Sequence, residues 1–182
     1  MGKRVLITGA AGNLGGLLAR RLLKDEVLLH LLVHRQDVSP ELKAKDNVNV
    51  FWADLAVRES LGSVLDGVDT IVHFAGVLFK HNPEKFLKTT NTLYFKNLLD
   101  VAVQKGVKRV ILISFPHVEG ETTPDHPARG RLDGNPVSMH ARTRLEEERL
   151  LFEYGERRGF EPVALRVGMV YGLSLIHISE PT

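Results

Sequence analysis

Apolar and polar positions along the chain fall into alternating blocks that predict strands and helices in turn. Six short apolar runs are typical of strands buried on both faces of a parallel sheet. They lie at residues 5–7, 27–34, 48–52, 69–74, 110–114 and 162–167. Helical patterns separate several of these runs, above all at residues 86–105 and 138–158. The alternation predicts an α/β fold, a doubly wound parallel sheet with strand order 3-2-1-4-5-6 and helices on both faces.

The last helical pattern, at residues 138–158, is strongly charged, with Ala141, Leu145 and Phe152 as its apolar seam. We expect its many Glu and Arg residues to form a solvated face supported by i,i+4 pairs. The segment before it, residues 115–136, is long, polar and rich in proline and glycine. A loop of that length is usually functional or mobile, so we expect it to lie over a site at the edge of the sheet.

A glycine-rich turn follows the first strand, with glycines spaced G-x-x-G-x-x-G before an amphipathic helical pattern. Gly9 would permit the tight turn, Gly12 would let the backbone approach a pyrophosphate, and Gly15 would let the helix pack close to the strand. The free N–H groups and the dipole at the start of that helix favour an anion. The strand, turn and helix therefore predict a dinucleotide site, and a purely structural glycine turn is the alternative.

Charged residues follow the second and third strands, where a doubly wound sheet places its ligands. His34 and Arg35 end the second strand, and a cation there can pair with a 2′-phosphate, which favours NADP over NAD. The alternative is that Arg35 is a solvated loop residue. Asp54 follows the third strand, where its carboxylate could accept a hydrogen bond from an adenine amino group or cap the next helix.

Small residues end the fourth strand, because Ala75 and Gly76 follow it directly. Their size would let a flat ring or a ribose lie against the backbone. His73, within the strand, is expected to be a packed histidine rather than a catalyst. Lys80 and His81, in the loop that follows, are polar candidates for a surface that faces substrate.

Composition narrows the class of protein. The 182 residues are 43% hydrophobic and 25% charged, which predicts one globular domain. The net charge of +2 is too near neutral to argue for a nucleic-acid or membrane partner, so we expect neither. The chain has no cysteine, which excludes disulfides, thiolate catalysis and cysteine-bound metals. No apolar run approaches the ~20 residues of a membrane span, and the first strand leaves no room for a signal peptide. We therefore expect a cytoplasmic protein.

Several motifs together resemble those of the extended short-chain dehydrogenases/reductases, the NAD-dependent epimerase/dehydratase family. Residues 8–15 match T-G-x-x-G-x-x-G, Asp54-Leu55 matches the adenine-binding Asp, and residues 73–76 match H-x-A-x. Residues 91–99 are similar to N-x-x-G-T-x-N-L-L, with Tyr94-Phe95 in place of Gly-Thr. Residues 165–172 are similar to L-R-P-x-x-V-Y-G, with Val167 in place of proline. The resemblance covers about residues 3–172.

The resemblance implies a Rossmann-type fold that binds NADP or NAD, with NADP favoured. The residues that it implies for cofactor binding are Thr8, Gly9, Ala11, Gly12, Asn13, Leu14, Gly15, His34, Arg35, Asp54, Leu55, Phe74, Ala75, Gly76, Arg144 and Gly168. It also implies a small-molecule substrate, such as a sugar nucleotide or another carbonyl compound. A homodimer packed through the helices that carry Asn91 and His140 is the assembly implied by analogy.

The catalytic residues of the family are replaced. Where the family has Tyr-x-x-x-Lys, this chain has His140 and Arg144, and Phe115 stands at the position of the catalytic Ser/Thr, one residue after Ser114. In one interpretation His140 is the acid/base, Arg144 holds ribose hydroxyls and keeps His140 neutral, and Ser114 is the remaining hydroxyl. In another, the proton relay is lost and the domain is a non-catalytic NADP(H)-binding redox sensor or regulatory subunit. His140 as a solvent-facing helix residue, and a scaffold without cofactor, are further alternatives.

The domain prediction divides the chain near its end. Residues 1–172 are expected to form the NAD(P)-binding domain. Residues 173–182 match nothing in the family pattern, and SLIHISEPT resembles a translated sequencing adapter. We expect this segment to mark a truncated chain, with the family's substrate domain missing.

Overall fold

The computed structural model describes residues 2–76 and 82–168. Six strands form one parallel sheet in the order β3-β2-β1-β4-β5-β6, which confirms the predicted Rossmann-type fold. The strands are β1 (Lys3–Thr8), β2 (Val27–Val33), β3 (Val48–Trp52), β4 (Thr70–His73), β5 (Arg109–Ser114) and β6 (Glu161–Arg166). The order reverses between β1 and β4, so a crevice opens at the carboxyl ends of these two neighbouring strands.

Five α-helices lie within the described residues: α1 (Asn13–Leu22), α2 (Pro40–Lys43), α3 (Pro83–Leu87), α4 (Tyr94–Gln104) and α5 (Met139–Arg158). A π-helical turn, Lys88–Leu93, joins α3 to α4, so the helix predicted at residues 86–105 is interrupted. Short 3₁₀ turns cover Arg58–Leu61 and Pro116–Glu119. The N-cap of α5 is Ser138, whose hydroxyl accepts a hydrogen bond from the N–H of Ala141.

The core has two parts, one on each face of the sheet, because side chains of a strand alternate between faces. Leu6 belongs to the part packed under α4 and α5, with Phe95 and Leu151 among its members. The neighbouring Ile7 belongs to the part packed under α1 and α2, with Ala19. The predicted arrangement of helices on both faces is therefore present. Among residues 2–76 and 82–168, no helix has the length and apolarity needed to span a bilayer.

Candidate functional site

The glycine turn between β1 and α1 is a tight cradle of backbone. Gly9 has a φ of +69°, and a Cβ built on it would lie 2.9 Å from the backbone nitrogen of Ala75. A Cβ on Gly15 would lie 2.4 Å from the carbonyl oxygen of Gly9. Gly12 donates a hydrogen bond to that same oxygen over 2.9 Å and is the N-cap of α1. Because glycine carries no capping side chain, the first-turn N–H groups stay open to an anion.

The floor of the crevice is held together by the side chain of Thr8. Its hydroxyl oxygen accepts from the N–H of Ala75 at 3.2 Å and lies 2.8 Å from Nδ1 of His73. The backbone N–H of Phe74 donates to the carbonyl oxygen of Thr8. These contacts join the ends of β1 and β4 at the point where the sheet order reverses.

His73 is a packed residue. It is 1% exposed, and its ring centroid lies 4.7 Å from that of Phe95. Burial, together with the nearby charge of Arg144, lowers the pKa of His73 to about 3. The imidazole is therefore neutral at neutral pH and serves as part of the floor.

The far end of the crevice carries charged groups from the ends of β2 and β3. Nε2 of His34 lies 3.4 Å from Oδ2 of Asp54, and both side chains are partly exposed. The other carboxylate oxygen of Asp54 accepts from the N–H of Ala56 at 2.9 Å, which closes a turn. Asp54 is therefore not a helix N-cap here, since the following 3₁₀ turn begins after Val57. Arg35 is exposed beside this pair.

A cleft of about 520 Å³ runs between these two regions. Of the residues predicted to bind cofactor, eight line it: Gly9, Ala11, His34, Arg35, Asp54, Leu55, Ala75 and Gly76. Thr8, Gly12, Asn13, Leu14, Gly15 and Phe74 form the floor, the turn and the start of α1 beside it. Gly168 lies two residues past β6 and is exposed.

Within the described part of the chain, the sequence analysis missed six residues that line the cleft: Leu32, Val33, Gln36, Ala53, Thr90 and Tyr94. Four of these flank the ends of β2 and β3, and their place follows once the strand ends are known. Thr90 and Tyr94 reach the cleft from the π-helical turn and the start of α4. No local sequence pattern predicts the π-helical turn, so the sequence alone does not place Thr90 and Tyr94 at the cleft.

His140 occupies the first turn of α5 and is half-buried. Its ring meets that of Phe115 edge-on, with centroids 5.0 Å apart. Its Nδ1 is buried and has no hydrogen-bond partner among the described residues. Burial, and then the charge of Arg144, lower the pKa of His140. An imidazole kept neutral in this way has a nitrogen free to accept a proton.

Arg144 lies one helical turn further along α5 and reaches the edge of the cleft. Its Nη1 is 2.8 Å from Oε2 of Glu147, and the two side chains are 5% and 0% exposed. A Cβ built on Gly76 would lie 2.3 Å from Nη2 of Arg144. The guanidinium therefore fills the space beside Gly76 that a side chain would otherwise take. The structure thus brings His140, Arg144 and the end of β4 to one edge of the sheet.

Ser114 ends β5 at the same edge of the sheet, but it is bound to a residue further along α5. Its hydroxyl donates to Oε1 of Glu148, two turns along α5 from His140. Glu148 also binds Arg166 of β6, with Nη2 and Oε2 2.7 Å apart. At the end of β5, Ser114 and Phe115 therefore have different neighbours. Ser114 binds Glu148, and Phe115 contacts His140. The hydroxyl predicted to act in catalysis thus lies within a buried ion network, and its catalytic role stays a prediction.

The prediction of a solvated charged face on α5 holds only in part. Glu153 and Arg157 form an exposed i,i+4 pair, but other charged residues of the helix are buried. Arg144, Glu147 and Glu148 are all buried, at 4%, 0% and 0% exposure. Their partners include Ser114 and Arg166, which are remote in sequence. A pattern of i,i+4 charges cannot reveal such partners, because they are set by packing of α5 against β5 and β6.

The loop after β5 is tied down by a second buried carboxylate, Glu119. The backbone N–H groups of Arg129, Gly130 and Arg131 donate to it over 2.7–3.1 Å, and Arg166 also binds it. Burial alone would raise the pKa of Glu119, but these donors outweigh it and lower the pKa to about 2. The loop predicted to be functional or mobile is thus anchored at its middle. Lys80 and His81 lie outside the described residues.

The parallel sheet and its glycine turn define a nucleotide-binding fold of the doubly wound class. The chain belongs to the NAD dependent epimerase/dehydratase family, whose model matches residues 5–180. The predicted family is therefore confirmed. The match runs into the segment predicted to lie outside the domain, so the boundary at residue 172 stays a prediction.

Relatives in this family act on sugars or their nucleotides, according to their names. The chain is 32% identical over 166 residues to uronate dehydrogenase of Pseudomonas putida, covering 91% of this chain and 60% of that protein. It is 30% identical over 189 residues to a trifunctional UDP-glucose 4,6-dehydratase/epimerase/reductase of Arabidopsis thaliana, covering 93% and 28%. The chain thus spans about 60% of the dehydrogenase and a smaller part of the plant protein.

Solved structures agree on the fold. A point mutant of uronate dehydrogenase from Agrobacterium tumefaciens, complexed with NAD, is similar with a TM-score of 0.70 and 28% identity, over 87% of this chain and 58% of that one. UDP-N-acetylglucosamine 4-epimerase from Methanobrevibacter ruminantium has a TM-score of 0.79 at 23% identity, over 91% and 54%. The second likeness concerns the fold alone.

Proposed function

We propose that this chain binds a nicotinamide dinucleotide in the crevice between β1 and β4 and belongs to an NAD(P)-dependent oxidoreductase or epimerase. The substrate class we propose is a sugar acid, a sugar nucleotide or a related carbonyl compound, in line with the names of the relatives. The observation that carries the proposal is the glycine cradle, where a Cβ on Gly9 or Gly15 would strike backbone.

The residues present fit such a cofactor. The open first turn of α1 suits a pyrophosphate, since its N–H groups are uncapped and its dipole favours negative charge. Asp54, already bound to Ala56 by one oxygen, would accept from adenine through the other, at the cost of its contact with His34. Ala75 and Gly76 leave room for a ribose beside Arg144.

We propose that NADP is accepted as well as NAD. His34 and Arg35 stand where β2 ends, and Arg35 is exposed at the mouth of the cleft, where its guanidinium could pair with a 2′-phosphate. The uronate dehydrogenase structure of Agrobacterium tumefaciens contains NAD, so the test is a direct comparison of the two cofactors. Titration with NADPH and NADH, repeated with Arg35→Ala, should show a selective loss of NADPH affinity in the variant.

Residues of this chain would then transfer the proton of the substrate hydroxyl. A bound nicotinamide ring supplies hydride transfer. His140, neutral at neutral pH, would accept a proton from a substrate hydroxyl or return it in the reverse direction. Arg144 would hold the ribose hydroxyls at Gly76. Burial, and then the charge of Arg144, would keep His140 unprotonated by lowering its pKa.

A second candidate is a domain that binds NADP(H) without turnover, as a redox sensor or regulatory subunit. The contact between Phe115 and His140 favours it, because a ring without a hydroxyl stands where the family has its Ser/Thr.

One experiment separates the two candidates. The protein is mixed with NADPH or NADH and a panel of uronic acids, aldehydes, ketones and nucleotide sugars, and absorbance of the reduced nicotinamide is followed. Turnover that disappears in His140→Ala supports the enzyme. Tight binding without turnover supports the second candidate, and turnover that survives His140→Ala contradicts the role of His140. Failure to bind any dinucleotide would overturn both.

A further inference from the structure

We propose that Glu147 is a positioning residue, which holds the Arg144 guanidinium at the edge of the cleft and so sets the affinity for the nicotinamide half of the cofactor. This inference rests on the proposed function. It assigns a role to a carboxylate that lies outside the motif pair formed by His140 and Arg144.

The geometry places Glu147 behind Arg144. The two side chains share one face of α5, three residues apart, and meet through Nη1 and Oε2 at 2.8 Å. Nη2, the other terminal nitrogen, occupies the space beside Gly76. One branch of the guanidinium is therefore fixed by the carboxylate, while the other faces the residue that lines the cleft. A planar fork can satisfy both contacts at once.

Burial makes this contact a strong constraint. A guanidinium that is 5% exposed needs a partner for its charge, and an unpaired arginine would turn toward water. Glu147 offers that partner, although its second oxygen, Oε1, finds none among the described residues. Burial raises the pKa of Glu147 to about 7; Arg144 opposes the rise, and Glu146 and Glu148 add to it. The carboxylate is thus held in an unfavourable site chiefly by Arg144.

An ion pair that served stability alone would share some of these features. It would affect every ligand of the crevice equally, or none. A positioning role predicts a selective effect, because Arg144 lies beside Gly76 after β4, whereas Asp54 follows β3 and two strands separate β3 from β4. A ligand with the nicotinamide half and a ligand without it, both carrying adenosine and a pyrophosphate, therefore distinguish a positioning role from a purely stabilising one.

The experiment compares reduced dinucleotides with ADP, which carries adenosine and a pyrophosphate but no nicotinamide ribose. Dissociation constants for NADPH, NADH and ADP are measured by calorimetry on wild type, Glu147→Gln and Arg144→Met. The matched control is Glu153→Gln, which removes an exposed carboxylate from the same helix. We expect Glu147→Gln to weaken dinucleotide binding at least fivefold, with ADP unchanged within twofold and the control unchanged for all three. Arg144→Met should show the same pattern. The double variant, Arg144→Met with Glu147→Gln, should bind the dinucleotides no more weakly than Arg144→Met alone.

The affinity for ADP also reports whether each variant is folded. The double variant removes both charges together, so it avoids leaving one buried and unpaired if a single variant fails to fold. An equal loss of ADP and dinucleotide affinity, or no loss beyond the control, would overturn the inference while leaving the cofactor proposal intact. Wild-type protein that binds neither NADPH nor NADH would overturn the proposed function and this inference with it.

Discussion

Single residues at the glycine turn decide whether the crevice can accept a ligand. In Gly15→Ala, the new Cβ would stand 2.4 Å from the carbonyl oxygen of Gly9, so backbone must move. Overpacking of this kind costs about 1–3 kcal/mol, and we expect NADPH and NADH to bind roughly tenfold or more weakly in titrations.

Gly16→Ala is the matched control for that change. Its Cβ would lie 3.4 Å from the nearest atom, the carbonyl oxygen of Ala10, which is ordinary contact. Alanine also suits a helix better than glycine, so affinity should be kept and stability should not fall. Equal affinities for the two variants would refute the cradle as the site of the pyrophosphate.

His73 gives the protein a measurable sensitivity to acid. The unfolded chain takes up a proton near pH 6.5, whereas the pKa of His73 in the folded protein is about 3. Between these values the unfolded state binds more protons, so the free energy of unfolding falls by about 1.4 kcal/mol for each unit of decreasing pH.

His73→Asn removes this titration and keeps a polar partner for Thr8. We expect the stability of wild type relative to the variant to fall by about 2 kcal/mol from pH 7 to pH 5 in urea unfolding. The comparison cancels other groups, including Glu147, whose raised pKa acts in the opposite direction. A difference that stays constant with pH would show that His73 is not buried in its neutral form.

At the scale of elements, Arg166 joins β6 to α5 and to the loop after β5. It binds both Glu119 and Glu148, whose side chains are 1% exposed. Arg166→Met would leave two carboxylates short of a partner, and we expect a loss of about 3–5 kcal/mol in the free energy of unfolding. Arg157→Met, which breaks an exposed pair with Glu153, should cost no more than about 0.5 kcal/mol. Similar losses in urea titrations would contradict the view that this network anchors β6.

The elements also show how far the sequence could lead. The strand order followed from apolar runs and a glycine turn, which are local signals, and the ends of β2 and β3 placed Arg35 and Asp54 correctly at the cleft. Buried pairs such as Arg144 with Glu147 could not be predicted from the sequence. A run of charged residues in a helix has the same pattern whether the side chains face water or pack against another element. Likewise the π-helical turn that brings Thr90 to the cleft has no pattern of its own.

At the scale of the whole molecule, ligand binding should appear as added stability. A ligand that binds only the folded state at a hundred times its Kd contributes about 2.7 kcal/mol. For a chain of this size that corresponds to a rise of roughly 5–10 °C in Tm. Thermal unfolding with NADPH, NADH, NADP and NAD, each over a concentration series, checks this. A Tm that stays constant for all four would contradict cofactor binding by this chain.

The hydroxyl of Thr8 has a consequence for the way in which a ligand would enter the crevice. By joining the ends of two neighbouring strands, it holds the floor of the crevice in place before a ligand arrives. The strand ends that form the crevice do not have to become ordered when a ligand binds. We therefore expect a preformed site that selects ligands by their shape. We expect the opening to discriminate sharply between thin and bulky diphosphate esters.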